Sequence, residues 1–486
     1  MTGPKAYLLI ADELQRLIES AAFRTGDRLP SIRDIVRAHG VSIPTVHRAL
    51  AELESRGLVE GRPRAGFYVR LPSGRSIASA GGPVRVHSAA DPLGNLVHEA
   101  LALSERPGIC ALGPSGPSNE LFPMVRLRRA TTAAVRRAAM AHVNAFQVAG
   151  TVRLREEIAR RSAGSGCCLR PEEIVITAGC TEALALSLLA TTSRGDAVAI
   201  ESPAFYGLLL LLRSLGLVAV ELPSDPRTGL APDTVAMALR ERPLAAVIVS
   251  GNYNHPCGAL MPDAAKRELV DLLAVHDVPL IEDDIFGDLS FSPQRPPPLK
   301  AYDRNGLVLL CDSFSKSIAP GYRVGWASPG RFLDKMLEIK LALAPVTSTL
   351  PQLAIAEFLK RGGYERHLRS FRRTLAENVQ RTARAVDRHF PTGTRYAMPG
   401  GGNFLWVELP AGCDTLELYR RAATCGISTA PGAMFSRDGQ GFRRHIRFNC
   451  ARLWNEELER GLARVGELAC EQLSERLGDP PSHARN

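Results

Sequence analysis

At 486 residues and 45% hydrophobic content, the chain is too long for one core and too apolar for wholesale disorder, so at least two folded domains are expected. The formal net charge of +10 suits an acidic partner such as nucleic acid, although an ordinary basic surface gives the same figure. Ten cysteines without a CxxC pair argue against a disulfide framework and a metal site, and with no apolar run behind the N-terminus they point to the cytoplasm.

Apolar residues Tyr7, Ile10, Leu14, Leu17 and Ile18 recur at helical spacing, and a second, short helix opens at Pro30-Ser31 and ends at Gly40. Ser42 is placed to cap a third helix, Ile43 to Arg56, closed by Gly57. Two β-prone runs, Leu58-Val59 and Phe67 to Val69, flank a Gly- and Arg-rich turn and predict a small basic hairpin. The first domain is therefore expected over 1–70, with a flexible Gly/Ser/Ala/Pro linker over 71–90. Beyond it, β-branched runs such as Ile174 to Thr177, Ala197 to Glu201, Ala246 to Val249, Pro279 to Ile281 and Leu307 to Cys311 alternate with helix-length segments, the pattern of a mostly parallel α/β sheet. The leucine-rich stretch Gly207 to Leu222 is broken by Arg213 and Gly216 and is too short for a bilayer, so it reads as buried helix and strand and no membrane partner is expected. A long helical stretch, Arg331 to Leu359, leads to a smaller α+β lobe over 364–477, which completes a second domain over 91–477; residues 478–486 read as a disordered tail.

The helix–turn–helix pattern brings Ser42, Thr45, His47 and Arg48 to the front of the third helix, where side chains reach a major groove, and residues 1–70 hold eleven Lys/Arg against eight Asp/Glu. Arg62 and Arg64 in the hairpin can touch the adjacent backbone or minor groove. The alternative is a small protein-interaction domain with a solvated basic face. Through Arg28-Leu-Pro-Ser-Ile-Arg33, Val41 to Val46, Ala49-Leu50 and Gly57-Leu58-Val59 the segment resembles the winged helix of GntR-type regulators, which implies DNA contacts at Arg33, Ser42, Thr45 and around Gly66. Ile43 stands where a basic residue is common, and Arg64-Ala65-Gly66 replaces the wing's glycine-x-glycine; Arg64 is expected to supply a phosphate contact in its place.

The segment Asp312 to Trp326 sets a lysine amine, Lys316, among the hydroxyls of Ser313 and Ser315, with Arg323 seven residues on. A nucleophilic amine beside phosphate donors and a guanidinium suits pyridoxal phosphate (PLP). The segment resembles the fold-type I aminotransferases, which implies Lys316 as the lysine of the internal aldimine and Ser313, Ser315 and Arg323 as phosphate ligands. Gly179, Cys180 and Thr181 lie at a strand-to-helix turn suited to phosphate. Phe205 takes the place of the aromatic that stacks on the pyridine ring, a plain core aromatic being the alternative. Asp283 takes that of the pyridine-nitrogen partner, with Asp284 as fallback. In Gly251 to Gly258, His255 holds the position before proline that bonds the ring hydroxyl, with Asn254 preceding it. Arg447 in His445 to Asn449 matches the arginine that grips a substrate α-carboxylate, against the alternative of a surface strand arginine. Phe286 replaces a tyrosine bonding the ring oxygen, and His255 an asparagine, which favours sensing over turnover.

A winged helix followed by a fold-type I domain is the layout of the MocR subfamily of GntR regulators. This resemblance implies a homodimer on a double-stranded DNA operator, with an amino acid or amine effector sensed through an external aldimine, its carboxylate on Arg447; Phe146 would reach the partner's phosphate without a hydroxyl. Whether the chain is also an enzyme stays open. The rivals are a true aminotransferase with an accessory DNA-binding domain and a PLP-independent repressor.

Overall fold

The computed structural model describes residues 6–19, 23, 26–62, 66–70, 92–137 and 146–477. Its contacts divide the chain into two units, Met1–Ala89 and Ala90–Asn486. The expected linker and C-terminal tail fall outside the described residues, as does Arg64.

In the first unit, helices α1 (Ala6–Glu19), α2 (Ile32–His39) and α3 (Ile43–Ser55) pack around Ile10, Leu14, Ile35, Val46, Leu50 and Leu53, all buried. The hairpin of β1 (Val59–Arg62) and β2 (Gly66–Val69) closes the core, with Val59 opposite Val69. Local chemistry sets the helix ends. Ser31 accepts from the Asp34 N–H, and Gly40 takes the left-handed conformation (φ 63°) that returns its N–H to the Val36 carbonyl. Ser42 occupies the N-cap of α3 but makes no cap bond to the backbone; its hydroxyl meets the Thr45 hydroxyl at 2.8 Å.

The second unit opens with α4 (Pro92–Ser104), β3 (Cys110–Ala111) and α5 (Met124–Arg137). Its large sheet comprises β4 (Val175–Thr177), β5 (Ala197–Ser202), β6 (Val218–Pro223), β7 (Ala246–Val249), β8 (Leu280–Asp283), β9 (Val308–Ser313) and β10 (Gly325–Ser328), in the spatial order β4-β10-β9-β8-β7-β5-β6. Neighbours from β9 to β6 are parallel, whereas β10 runs antiparallel to both β9 and β4. Both faces are covered: Val198 and Ile200 join one apolar cluster and Ala199, between them, joins another. The parallel strands therefore read as continuous apolar runs.

Sequence periodicity placed one helical stretch over Arg331 to Leu359; the structure has two helices, Leu333–Leu343 and Thr349–Lys360. Pro345 lies in the break, lacking the N–H a continuous helix needs. A 27-residue helix, Gly363–His389, then leads into the smaller lobe. There β11 (Arg395–Tyr396), β12 (Phe404–Glu408), β14 (Ala430–Pro431) and β15 (His445–Asn449) form an antiparallel sheet in the order β11-β12-β15-β14, while β13 (Ile427–Ser428) pairs in parallel with β3. Among the described residues no helix is long and apolar enough to cross a membrane.

Candidate functional site

The parallel strands β5, β8 and β9 end at Ser202, Asp283 and Ser313, so their carboxyl ends gather on one edge of the sheet. A cavity of about 190 Å³ opens there. Asp283, Phe205, His255 and Phe286 line it together with Cys180 and Thr181 from the first turn of the helix Cys180–Thr191. The end of β9 adds Ser313, and the β9–β10 connection adds Ser315, Lys316 and Arg323. Ten of the thirteen residues singled out for cofactor and effector thus meet in one place; Gly179, Asn254 and Arg447 do not line it.

The Lys316 amine donates to the Ser115 carbonyl at 2.9 Å. Burial, then the positive charge of Arg447, draws its ammonium down to about 8, which leaves a neutral nucleophile accessible near neutral pH. Asp283 accepts from the Cys180 thiol (3.4 Å) and the Ile285 N–H (3.3 Å), and burial pushes its carboxyl up to about 6. Between Lys316 and the small lobe, the Tyr364 hydroxyl donates to Asp288 (2.6 Å) and meets the Ser317 hydroxyl at 2.7 Å, while a His367 ring nitrogen lies 2.8 Å from the Ser317 carbonyl. The first turns of the long helix are therefore fastened to the residue after Lys316.

The donor set fits PLP on three local grounds. Gly179 caps the helix at φ 94°, and a Cβ there would lie 2.5 Å from the Arg323 guanidinium, so glycine is what lets Arg323 close over the helix N-terminus. The Ser315 hydroxyl is buried with no hydrogen-bond partner among the described residues, as a group awaiting an acceptor would be. Thr181 and Arg323 are exposed although they line the cavity, so the phosphate end is open in a single chain.

Arg447 is fully buried. Its guanidinium lies 4.5 Å above the Phe404 ring, donates to the Gly113 carbonyl and meets His255 Nε2 at 2.7 Å, while its Nε has no partner among the described residues. Burial brings Arg447 down to about 10, so it stays cationic at neutral pH. His255 is stacked on Phe404 with ring centroids 4.2 Å apart, and burial together with Arg447 and Lys316 holds its imidazole well below the usual histidine range. Because a guanidinium only donates, Nε2 accepts and the ring proton sits on Nδ1. Asn254 is committed elsewhere: it donates to Glu201 (3.1 Å) and accepts from the Ala259 N–H (3.0 Å).

Glu201 and Ser115 are site residues that the sequence pattern did not single out. Glu201 lines the cavity at the end of β5 and accepts from the Ser250 N–H at 2.7 Å; burial raises its carboxyl to about 7. Its signal was its place in the segment Glu201 to Gly207. Ser115 had none, being joined to Lys316 only by the fold.

In the first unit Arg33, Ser42, His47 and Arg48 are exposed and Thr45 is half-buried. The Arg48 guanidinium lies 5.7 Å from the centre of the Tyr7 ring on α1. Gly66 has φ 100°, and Arg28, which opens the Arg28 to Arg33 motif, packs its guanidinium against it, with Nε 3.1 Å from where a Cβ would be. The Arg62 guanidinium lies 4.4 Å from the centre of the Tyr68 ring.

A seven-stranded sheet with one antiparallel strand, a small C-terminal lobe and a lysine in the β9–β10 connection defines the PLP-transferase fold, here in a chain that also carries a winged helix. Residues 6–69 match the family of bacterial regulatory proteins, gntR family, and residues 118–465 match aminotransferase class I and II. The chain belongs to the MocR subfamily of GntR transcription regulators. It is 38% identical to the HTH-type transcriptional regulator YdcR of Escherichia coli (strain K12), over 96% of this chain and all of that one. It is 31% identical to 2-aminoadipate transaminase of Thermus thermophilus, over 76% of this chain and 92% of that one. The crystal structure of the α-aminoadipate aminotransferase LysN, also from Thermus thermophilus, in complex with N-(5'-phosphopyridoxyl)-L-leucine, superposes with a TM-score of 0.71 at 27% identity, covering 78% of this chain and 98% of LysN.

Proposed function

We propose that this transcription regulator binds PLP at Lys316 and senses an amino acid or amine effector that competes with Lys316 for the cofactor, altering how a homodimer holds its DNA operator. The observation that carries the reading is the single cavity shared by Lys316, Asp283, Ser313, Ser315 and Arg323. When bound, PLP supplies an aldehyde that condenses reversibly with primary amines and a ring that withdraws electrons. Ser313, Ser315, Arg323 and the helix N-terminus hold its phosphate, Asp283 pairs with the ring nitrogen, Phe205 stacks on the ring, and Phe286 and His255 flank its oxygen. Arg447 receives the effector's carboxylate, so an α-amino acid engages both lobes at once. Phe146, 67% exposed, is the side chain offered to a second copy's open phosphate end. On the DNA side, Arg33, Ser42, Thr45, His47, Arg48, Arg64 and Gly66 face the operator. The working place is the cytoplasm, where operator and amino acids meet.

A second reading, catalytic transamination, is supported by the likeness to 2-aminoadipate transaminase. The deciding experiment compares the absorbance spectrum of the protein and of Lys316→Ala, and measures binding to its own upstream DNA with and without PLP and amino acids. A near-visible band lost in the variant, with DNA binding that responds to PLP and effector, is the expected result. A band with rapid keto-acid release and no DNA response would establish the enzyme instead, and no band at all would leave a PLP-independent repressor.

A further inference from the structure

The helix α5 carries Arg126, Arg128, Arg129, Arg136 and Arg137 and no acidic residue, so it alone contributes five positive charges to a chain whose formal net charge is +10. All five are exposed, and Arg128, Arg129, Arg136 and Arg137 flank an open groove of about 450 Å³. Helix stability does not account for them. Arg136 and Arg137 suit the negative end of the helix dipole, but Arg126, Arg128 and Arg129 crowd the positive end, where a cation is unfavourable. Arg126 and Arg129, three residues apart, add repulsion.

The C-terminal helix of the same unit gives the contrast, since each of its arginines is in an ion pair. On the C-terminal helix Glu456–Leu477, Arg460 pairs with Glu456 (3.7 Å), Arg464 with Glu467 (3.0 Å) and Glu471 (2.9 Å), and Arg476 with Glu417 (3.1 Å). On α5, among the described residues, only Arg137 is in an ion pair, with Glu357 at 2.8 Å. Arg128 to Arg136 spans about 12 Å of helix, the length of a short run of DNA phosphates.

From this unpaired row we infer that α5 of the aminotransferase-like unit is a second DNA-contacting surface, holding the phosphate backbone without reading sequence. The inference rests on the reading that the chain binds DNA, and it extends the contact beyond the winged helix. It also gives DNA a route to the cofactor cavity. On its inner side α5 places the Thr131 hydroxyl 2.8 Å from that of Tyr322, the residue before Arg323.

The test uses the full-length, PLP-loaded protein and two labelled duplexes of equal length, one from its own upstream region and one scrambled, titrated by fluorescence anisotropy across a salt series. The triple variant Arg128→Ala, Arg129→Ala, Arg136→Ala is expected to weaken binding to both duplexes by at least about tenfold at low salt and to flatten the dependence of log K on log salt by about 2 to 3 units, near 0.9 for each phosphate the arginines no longer neutralise. Its absorbance spectrum and sedimentation should match the parent. The control Arg460→Ala, Arg464→Ala, Arg476→Ala removes the same charge and should leave the salt slope unchanged. Equal losses in both triples would reduce the effect to net charge and overturn the proposal. So would an unchanged slope in the α5 triple, or a changed sedimentation with DNA binding intact, which would make α5 a contact between subunits. Failure of the parent protein to bind either duplex would remove the DNA reading as a whole, an outcome distinct from failure of the α5 triple alone.

Discussion

In the first unit Arg33 on α2 and Ser42, His47 and Arg48 at the front of α3, all offered to DNA, are exposed, while the core is built from other, apolar residues. In the second unit the side chains offered to cofactor and effector hold one another: Arg447 meets His255, His255 stacks on Phe404, and Asp283 accepts from Cys180. An exposed side chain can be removed with local consequences, whereas a buried one leaves its neighbours unpaired and costs more than its own bond. The two units should therefore answer to mutation in different ways.

The largest effect after loss of Lys316 itself is expected at Arg447. Arg447→Ala would leave the Gly113 carbonyl and His255 Nε2 without their donor, weakening the response to an α-amino acid by about 100-fold, some 3 kcal/mol. The same variant should respond almost normally to a simple amine without a carboxylate. Titrations of the cofactor band with both ligands separate these cases, and equal losses for both would show that the site had collapsed.

Next comes Gly179→Ala. A left-handed backbone and a Cβ 2.5 Å from Arg323 both oppose it, so PLP affinity should fall by about 10- to 100-fold while the winged helix keeps its non-specific DNA binding. Equilibrium dialysis of the cofactor reads this directly, and unchanged affinity would remove Arg323 from the phosphate site.

The pH dependence is gentler. With the Lys316 ammonium at about 8 in the free protein, the neutral amine grows as pH rises towards that value, so the rate of PLP capture should climb between about pH 6 and 8 and level off above it. Stopped-flow absorbance gives the profile; a rate still climbing steeply through pH 10 would mean that burial does not lower this amine.

The smallest effect is expected in the first unit. Arg33→Ala should cost about 1 kcal/mol of DNA affinity, roughly fivefold, and about one unit of salt slope, with the cofactor spectrum untouched. A much larger loss would mean that Arg33 is coupled to other groups in the way Arg447 is.

The same contrast explains what could be read in advance. Helix ends in the first unit follow from single residues, Ser31 and Gly40 among them, because caps are local chemistry. The α/β alternation and the cavity residues were legible for a related reason: each sits in a short segment whose residue types suit its task. What stayed hidden depends on distant segments meeting. Lys316 reaches Ser115 across 201 positions, and Asn254 turned to Glu201 rather than the cavity, because a carboxylate from another strand end was there to receive it. Arg28 beside Gly66 is a similar case, a cross-segment approach without a local pattern. The break at Pro345 was missed because apolar periodicity continues on both sides of it.

The fastening of Tyr364 and His367 to Ser317 has a mechanical side. The helix that begins at Gly363 runs for 27 residues, about 40 Å at 1.5 Å per residue. It has the form of a lever whose short arm rests on Ser317, the residue after Lys316. A tilt of about 5° at that fulcrum would carry the far end by about 3.5 Å. Under the proposed sensing, a chemical event at a single amine nitrogen would be magnified into a displacement of a few ångströms, large enough for another protein surface to register.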